Sequence, residues 1–239
     1  MGRLLDMILP PSCLACGSET GSAQGLCVPC WSGIRFLGSP ACERCGLPFA
    51  YDAGAGALCP ACIGSTSAID RLRAVFAYDD KSRGLIIAFK HGDRLQGVPA
   101  FGDWLARAGG PLIAAETVLI PVPLHWTRLF TRRYNQSALL CHALARAVAR
   151  STGLKLVVAP EVLIRRRRTR SQGQLGRLSR QENMRAAFAV NPKAAVRDKS
   201  FLLIDDVLTT GATVEECAQA LKRAGAARVG VLTLARALR

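Results

Sequence analysis

The sequence lacks the features that would mark a membrane or secreted protein. Nowhere do eighteen apolar residues follow one another, so no segment is expected to span a bilayer. The first residues carry only Arg3 before an apolar stretch that Asp6, Pro10 and Pro11 interrupt, unlike a secretory leader. Acidic residues are also scarce, 17 against 32 Lys and Arg. We therefore expect a cytoplasmic, strongly basic protein without membrane insertion.

The positive charge is concentrated in the middle of the chain. Residues 121–190 contain 14 Lys and Arg but only Glu161 and Glu182, a formal charge of +12. Residues 1–65 carry a formal charge of −1. Attraction to a polyanion therefore belongs to the central part of the chain rather than to its N-terminal part.

Cysteine is used in a pattern that is typical of zinc binding. Eight of the ten cysteines form C-x-x-C pairs, and a reducing cytosol disfavours disulfides as the alternative. Two such pairs supply one tetrahedral site, which predicts two structural zinc ions, bound either by successive pairs or by interleaved ones. Gly17 and Gly46 each follow a pair and would supply the freedom that tight turns require. The predicted ligands are Cys13, Cys16, Cys27, Cys30, Cys42, Cys45, Cys59 and Cys62.

The remaining chain alternates between strand and helix patterns. We predict a zinc module over residues 1–65 and a second domain over residues 68–239, with a boundary at Gly64–Ser67. Strands are predicted at 69–78, 117–121, 155–158, 162–164, 201–204 and 229–234, with helices at 82–91, 101–108 and 135–152 and after residue 212. This alternation predicts an α/β fold with a parallel sheet covered by helices on both faces. Cys141 and Cys217 fall among apolar residues and are expected in the core.

One motif carries most of the functional information. The buried strand at 201–204 runs into Asp205 and Asp206, and Thr209, Thr210, Gly211, Ala212 and Thr213 follow. Thr213 is predicted to cap the next helix, with Glu216 completing a capping box. Free backbone amides of this loop suit a phosphate. The two carboxylates would repel a phosphate, and they suit ribose hydroxyls or Mg²⁺ instead. No Walker lysine follows the glycine, which disfavours a P-loop NTPase. The motif predicts a site for a phosphorylated ribose.

Basic residues are predicted to complete this site. The strand at 117–121 is followed by a loop containing Arg128 and Arg132, whose guanidinium groups suit a pyrophosphate. Lys90 either reaches the site or serves only as a positive charge at the end of its helix, where the helix dipole favours it. A third group opens a polar segment that is a solvated charge run, a hood over the site or a surface for nucleic acid. This group comprises Arg165, Arg166, Arg167, Arg168, Arg170, Gln172 and Arg180.

These motifs together resemble two nested families. The Asp pair with its Thr-rich loop is similar to the phosphoribosyl pyrophosphate (PRPP) motif of type I phosphoribosyltransferases. The Pro-Val-Pro-Leu segment at 121–124, the arginine pattern from Arg167 to Asn183 and the cysteine pairs resemble the ComF family of the ComFC or GntX type. Tyr134 departs mildly from that pattern. The resemblance covers nearly the entire chain, and it implies a double zinc ribbon followed by a type I phosphoribosyltransferase fold.

The resemblance also implies a function, with alternatives. It implies PRPP with Mg²⁺ as ligand, Asp205 and Asp206 as catalytic residues, and a role in handling single-stranded DNA during natural transformation. One alternative is a non-catalytic module that binds single-stranded DNA and keeps PRPP as a regulator. Another makes the slightly acidic ribbons a docking platform for a DNA-processing partner. No base-binding element is recognisable, so the acceptor of a transferase stays open.

Overall fold

A computed structural model describes residues 11–20, 25–90, 95–124, 134–165 and 187–238. Two short helices lie in the cysteine-rich part, α1 (Val28–Gly33) and α2 (Pro60–Ile63). In the described part of the rest lie four longer helices and seven strands. They are β1 (Arg71–Ala77), α3 (Asp80–Lys90), α4 (Val98–Gly109), β2 (Val118–Pro121), α5 (Gln136–Thr152), β3 (Val157–Val158), β4 (Leu163–Arg165), β5 (Phe188–Val190), β6 (Ser200–Leu208), α6 (Ala212–Arg223) and β7 (Arg228–Arg236).

Five strands form a parallel sheet in the order β1-β7-β6-β2-β3. The long central strands β6 and β7 are apolar along most of their length, because both faces of this sheet are covered. In the register, Ile120 lies opposite Leu203, and Pro121 lies opposite Ile204. The carboxyl ends of β2 and β6 therefore meet at one edge of the sheet, as the sequence predicted.

Alternate residues of the strands enter two separate cores. Leu202 and Ile204 point to the core formed with α3, α4 and α5, whereas Phe201 and Leu203 point to the core formed with α6. Cys141 and Cys217 are fully buried in these two cores, which confirms the expectation for both. The α/β fold class with helices on both faces of a parallel sheet is confirmed.

Local sequence explains how the large helix beside the site begins and ends. Asn135 caps α5, since its side chain accepts a hydrogen bond from the N–H of Ser137, and Gly153 ends the helix in the left-handed conformation. Gly102 lets α4 approach α5 closely, because a Cβ there would lie 2.6 Å from the Ala143 carbonyl oxygen. The N-terminus of α5 is thereby fixed beside the carboxyl end of the sheet.

Three local expectations from the sequence are wrong. The strand at 162–164 does not join the parallel sheet; it pairs antiparallel with β5 as a separate two-stranded hairpin. The strand of the motif does not stop before the Asp pair, because β6 continues to Leu208. Thr213 does not cap α6: Gly211 occupies the cap position with a left-handed φ of 80°. Glycine tolerates this conformation at little steric cost, so the N-cap position holds a glycine instead of a residue with a capping side chain.

The cysteine-rich part docks on the outer edge of the sheet. The N–H of Leu37 donates to the carbonyl of Val75 at 2.8 Å, and the N–H of Ala77 donates to the carbonyl of Arg35 at 2.8 Å. Backbone groups of β1 that would otherwise form an open edge are therefore paired. Within the described ranges, no helix is both long and apolar enough to cross a membrane.

Candidate functional site

Asp205 and Asp206 lie on β6 where the neighbouring strand β2 ends. Asp205 pairs in register with Thr233 of β7, and the N–H of Val122 donates to the carbonyl of Ile204 at 3.0 Å. Both carboxyl groups line a cavity of about 200 Å³ at this edge of the sheet. The long apolar strand thus delivers two acidic side chains into a cavity that polar and charged side chains also line.

The Asp205 side chain is half-buried, and its surroundings disfavour the charged form of its carboxyl group. Burial raises its pKa to about 7, the negative charge of Asp206 adds to this, and Lys90 opposes it. Its Oδ1 accepts hydrogen bonds from the Ser137 hydroxyl at 3.1 Å and from the N–H of Asp206 at 2.9 Å. The carboxyl group therefore changes its charge near neutral pH.

Lys90 brings a positive charge to the second carboxylate. Its Nζ lies 3.1 Å from Oδ2 of Asp206, and both side chains are largely shielded from solvent. The C-terminus of α3, which carries Lys90, is held by the start of α5 and the residues before it: Gln136 Nε2 donates to the carbonyl of Lys90, and the Tyr134 hydroxyl donates to that of Phe89, each at 3.2 Å. Lys90 therefore lines the cavity, and it also lies in the last turn of α3, where the helix dipole favours a positive charge.

The loop after β6 forms the opposite wall of the cavity. All of residues 209–213 line it, and α6 begins at Ala212 with its N-terminus toward the same space. A helix N-terminus favours an anion. The one acidic side chain of the first turn, Glu215, accepts from the Ser67 hydroxyl at 2.6 Å and from the N–H of Ala68 at 2.9 Å. These donors offset its charge and fix the start of α6.

The structure brings most of the described candidate residues to this one cavity. Asp205, Asp206, Lys90 and the loop 209–213 all line it, and so does Arg165. The Arg165 guanidinium carbon also lies 5.2 Å from the centre of the Phe188 ring. The remaining candidates lie outside the described residues, namely Arg128, Arg132, Arg166, Arg167, Arg168, Arg170, Gln172 and Arg180.

Sequence reasoning gave no role to three polar residues that line the cavity. Ser137 and Gln136 lie at the start of α5, and Tyr78 follows β1. The Asn135 cap was recognisable, and the first turn of a helix that follows a strand of this sheet also faces the site. Ser137 could have been found by that signal. Tyr78 had none, because its place depends on β1 lying beside β7.

The cysteines form two clusters of four in successive order. Cys13, Cys16, Cys27 and Cys30 make the first, and within each cluster the sulfur atoms all lie within 4.8 Å of one another. The second comprises Cys42, Cys45, Cys59 and Cys62. Of the two pairings that the sequence left open, the structure shows the sequential one.

The geometry of each cluster suits zinc. The Cys16 and Cys27 sulfurs lie 3.7 Å apart, as do those of Cys45 and Cys59. A tetrahedron of zinc–sulfur bonds of about 2.3 Å requires sulfur atoms about 3.8 Å apart. Burial disfavours the Cys42 thiolate, but backbone N–H groups that donate to its sulfur outweigh burial and lower its pKa to about 6. These donors prepare a thiolate for metal, and both clusters support structural zinc.

Tight turns and arginines attach the second cluster to the domain. Gly17 and Gly46 adopt φ of 79° and 64°, as the sequence predicted. At Gly46 a Cβ would also lie 2.8 Å from the Leu72 carbonyl oxygen, so no larger residue fits. Arg44 donates to the carbonyls of Cys62 and Ser65 at 2.8 and 2.9 Å. From β7, Arg236 donates to the Cys45 carbonyl.

Comparisons with known proteins find two domain families in this chain. Residues 4–63 match the double zinc ribbon domain, and residues 138–239 match the phosphoribosyl transferase domain. The DNA utilization protein YhgH of Salmonella typhimurium is 31% identical over 239 residues, which is 97% of this chain and 100% of that one. Competence protein F of Haemophilus influenzae is 28% identical, covering 94% of this chain and 96% of that one.

Solved structures give a more distant likeness. An allosteric regulatory enzyme of purine biosynthesis is 20% identical with a TM-score of 0.37, covering 63% of this chain and 26% of that one. The relatives that align over their full length decide the family. With a double zinc ribbon ahead of a phosphoribosyl transferase domain, and YhgH and competence protein F as full-length relatives, the chain belongs to the ComF family.

Proposed function

We propose that the chain binds PRPP, or a related ribose phosphate, with Mg²⁺ at the carboxyl edge of its sheet, and that it acts as a phosphoribosyltransferase. One observation carries the proposal: the Asp pair and the loop 209–213 line the same cavity. Neutral hydroxyl groups suit the Asp pair, and an anion suits the backbone amides of the loop. A phosphorylated ribose offers both groups in one small molecule.

Each wall of the cavity has a separate task in this proposal. Asp205 and Asp206 accept hydrogen bonds from the ribose hydroxyls, and the backbone amides of residues 209–213 hold the 5′-phosphate. The carboxylate oxygens fit Mg²⁺, which, when bound, supplies positive charge to the pyrophosphate. Lys90 lies beside Asp206 and adds a second positive charge within reach of that anion.

The chemistry proposed for the site is substitution at the anomeric carbon. The bond from that carbon to the pyrophosphate oxygen breaks, pyrophosphate leaves with the electron pair, and a nucleophilic acceptor forms the new bond. Positive charge develops on the ribose ring meanwhile. Negative charge on the Asp pair stabilises it, so the residues act by position and electrostatics.

A second candidate function is a non-catalytic DNA-binding module that keeps PRPP as a regulator. The charge of +12 over residues 121–190 favours this role, since no single pyrophosphate needs that many arginines. The names of the relatives, a DNA utilization protein and a competence protein, point to work on DNA. We extend to this chain a cytoplasmic role in handling single-stranded DNA, with the ribbons free to dock a DNA-processing partner.

Calorimetry with PRPP and Mg²⁺, with and without a single-stranded oligonucleotide, tests the pocket. The Asp205→Asn, Asp206→Asn double variant should weaken PRPP binding by about 1.5 to 3 kcal/mol for each charged hydrogen bond that it loses. Asp52→Asn is the matched control, because Asp52 is an exposed carboxylate of the second ribbon. Unchanged PRPP affinity in the folded double variant would reject the pocket.

A further inference from the structure

A second cavity lies on the opposite side of β1 from the Asp pair, where residues 31–46 of the two ribbons meet β1 and α4. Its volume is about 550 Å³, within the size range of ligand sites. Three aromatic rings line it. They belong to Trp31 of α1, to Trp104 of α4 and to Phe36, which lies between α1 and the second ribbon. We call it the junction groove. None of the residues that line the Asp-pair cavity lines this one.

The aromatic rings of the junction groove form a connected cluster that remains open to solvent. The rings of Trp31 and Phe36 are 4.6 Å apart, and Trp104 lies 6.1 Å from Trp31 and 5.6 Å from Phe36. Trp31 nevertheless stays 46% exposed. A tryptophan held by two neighbours but left half uncovered is a preformed surface for stacking, because little side-chain entropy remains to be lost when a planar ligand binds.

Arginines accompany the rings. Arg107 of α4 lines the groove, is exposed and makes no ion pair with any described residue. Arg73 lines it too, and its guanidinium donates to the carbonyl of Glu43 at 3.0 Å. The Glu43 carboxylate is engaged by Arg71 at 2.5 Å and by Arg73 at 3.5 Å. The charge that remains around the groove is therefore positive.

We propose that the junction groove is a nucleobase-stacking site for single-stranded nucleic acid, with a base on the Trp31–Phe36–Trp104 cluster and a flanking phosphate on Arg107. Stacked aromatics beside cations are the usual means of holding a single strand without reading its sequence. An apolar peptide would use the rings but not the free guanidinium. The proposal rests on the DNA role proposed above, and it places contact at the ribbon junction as well as on the arginine-rich segment.

The groove also depends on the first zinc site. Trp31 directly follows Cys30, a ligand of the first cluster, and the six residues of α1 hold both. Closing the cluster around a metal ion therefore sets the position of the Trp31 ring. In this arrangement a structural zinc ion serves nucleic-acid binding indirectly, by orienting one wall of the site.

The test is binding of a fluorescein-labelled oligothymidylate at several salt concentrations. Trp31→Ala should weaken binding by about 5- to 150-fold, the cost of one lost stack, while leaving the salt dependence unchanged. Trp31→Phe should restore part of the affinity. Tyr51→Ala is the control, because Tyr51 is 74% exposed on the second ribbon and lies outside the groove.

A charge comparison supplies an independent arm. Arg107→Gln should flatten the log–log salt slope by about 0.7, the value for one lost phosphate contact on a single strand. Arg83→Gln removes the same charge from an exposed position outside the groove and should change the slope little. Ultraviolet crosslinking of the wild-type protein to the oligothymidylate should mark peptides that contain Trp31, Phe36 or Trp104.

The outcomes separate the two proposals. If Trp31→Ala and Arg107→Gln bind the oligothymidylate with wild-type affinity and the crosslinks lie elsewhere, the proposed nucleobase site in the junction groove is overturned while the DNA role stands. No binding by the wild type would overturn both, whereas PRPP binding is measured separately. Zinc content and melting temperature check that Trp31→Ala folds. If it loses zinc, Arg107→Gln and the crosslinked peptides decide, and equal slopes for Arg107→Gln and Arg83→Gln would then count against the groove.

Discussion

Asp205→Asn should stabilise the protein at neutral and alkaline pH while it impairs the proposed site. The asparagine oxygen can still accept from the Ser137 hydroxyl and from the N–H of Asp206, so the local hydrogen bonds survive. The substitution removes only the charge. That charge is unfavourable in the folded state, because burial and Asp206 raise the pKa of the Asp205 carboxyl from 3.8 to about 7.

The sign of the pH dependence follows from that direction. A carboxyl group whose pKa is higher in the folded state holds its proton more tightly there, so its contribution to stability is lost as pH rises toward the folded pKa. A difference of one in pKa corresponds to about 1.4 kcal/mol, so the rise from 3.8 to about 7 destabilises the folded protein by about 4 kcal/mol near pH 8. About 1 kcal/mol of it should develop between about pH 6 and about pH 8.5.

Urea unfolding of the wild type and the variant over that pH range measures this effect. Zinc–thiolate sites lose metal in acid, so the comparison stays above about pH 6 and uses the difference between the two proteins, in which the zinc contribution cancels. Asp52→Asn controls for the general loss of an exposed carboxylate. Equal stabilities at about pH 8, or a difference that does not grow with pH, would refute the argument from burial.

Three further predictions concern the metal, the packing and the charge. Elemental analysis should find close to two zinc ions per chain, and one in Cys59→Ser; a value near zero in folded protein, or disulfides by mass spectrometry, would contradict the clusters. Gly102→Ala should lower the free energy of unfolding in urea by about 1 to 3 kcal/mol, because its Cβ would lie 2.6 Å from a backbone oxygen. Gly84→Ala, at an open position on a helix surface, should raise that free energy by about 0.5 to 1 kcal/mol. Replacing Arg165, Arg166, Arg167 and Arg168 by Gln should reduce the log–log salt slope of DNA binding by about 0.7 per lost phosphate contact. If wild type and variant have identical slopes while PRPP binding is impaired, the segment acts as a hood over the site and does not contact DNA.

Much of the fold was predictable because its signals are local. The apolar strand at 201–204, the Asn135 cap and the cysteine spacing each depend on neighbouring residues, and the structure contains all three features. The hairpin of β4 and β5 was not predictable, since 22 residues separate the strands and their pairing is set by tertiary contacts. The cap at Gly211 was misjudged because a threonine two residues later offered a stronger local signal.

The candidate site divides in the same way. The Asp pair and its loop are contiguous in the sequence, so their chemistry could be inferred without a fold. Lys90 lies 116 residues before Asp206, and Ser137 lies 68 residues before Asp205, so only the structure shows that they reach these carboxyl groups. The junction groove combines α1, β1 and α4, and no sequence pattern relates Trp31 to Trp104.

The contacts of the ribbons bear on why they accompany this site. The buried core of the second ribbon consists of cysteines, and among the described residues the apolar side chains packed beside them are Leu47, Phe49 and Leu58. Metal must therefore supply much of the folding energy of this ribbon. Their segment at 35–37 pairs with the outer edge of β1, and β1 in turn borders β7. Just beyond the ribbons, Ser67 and Ala68 bind Glu215 in the first turn of α6, directly after the loop that suits a phosphate. Loss of zinc would therefore release both the sheet edge and one support of that loop, which makes the zinc module a structural part of the proposed ribose-phosphate site rather than an appended domain.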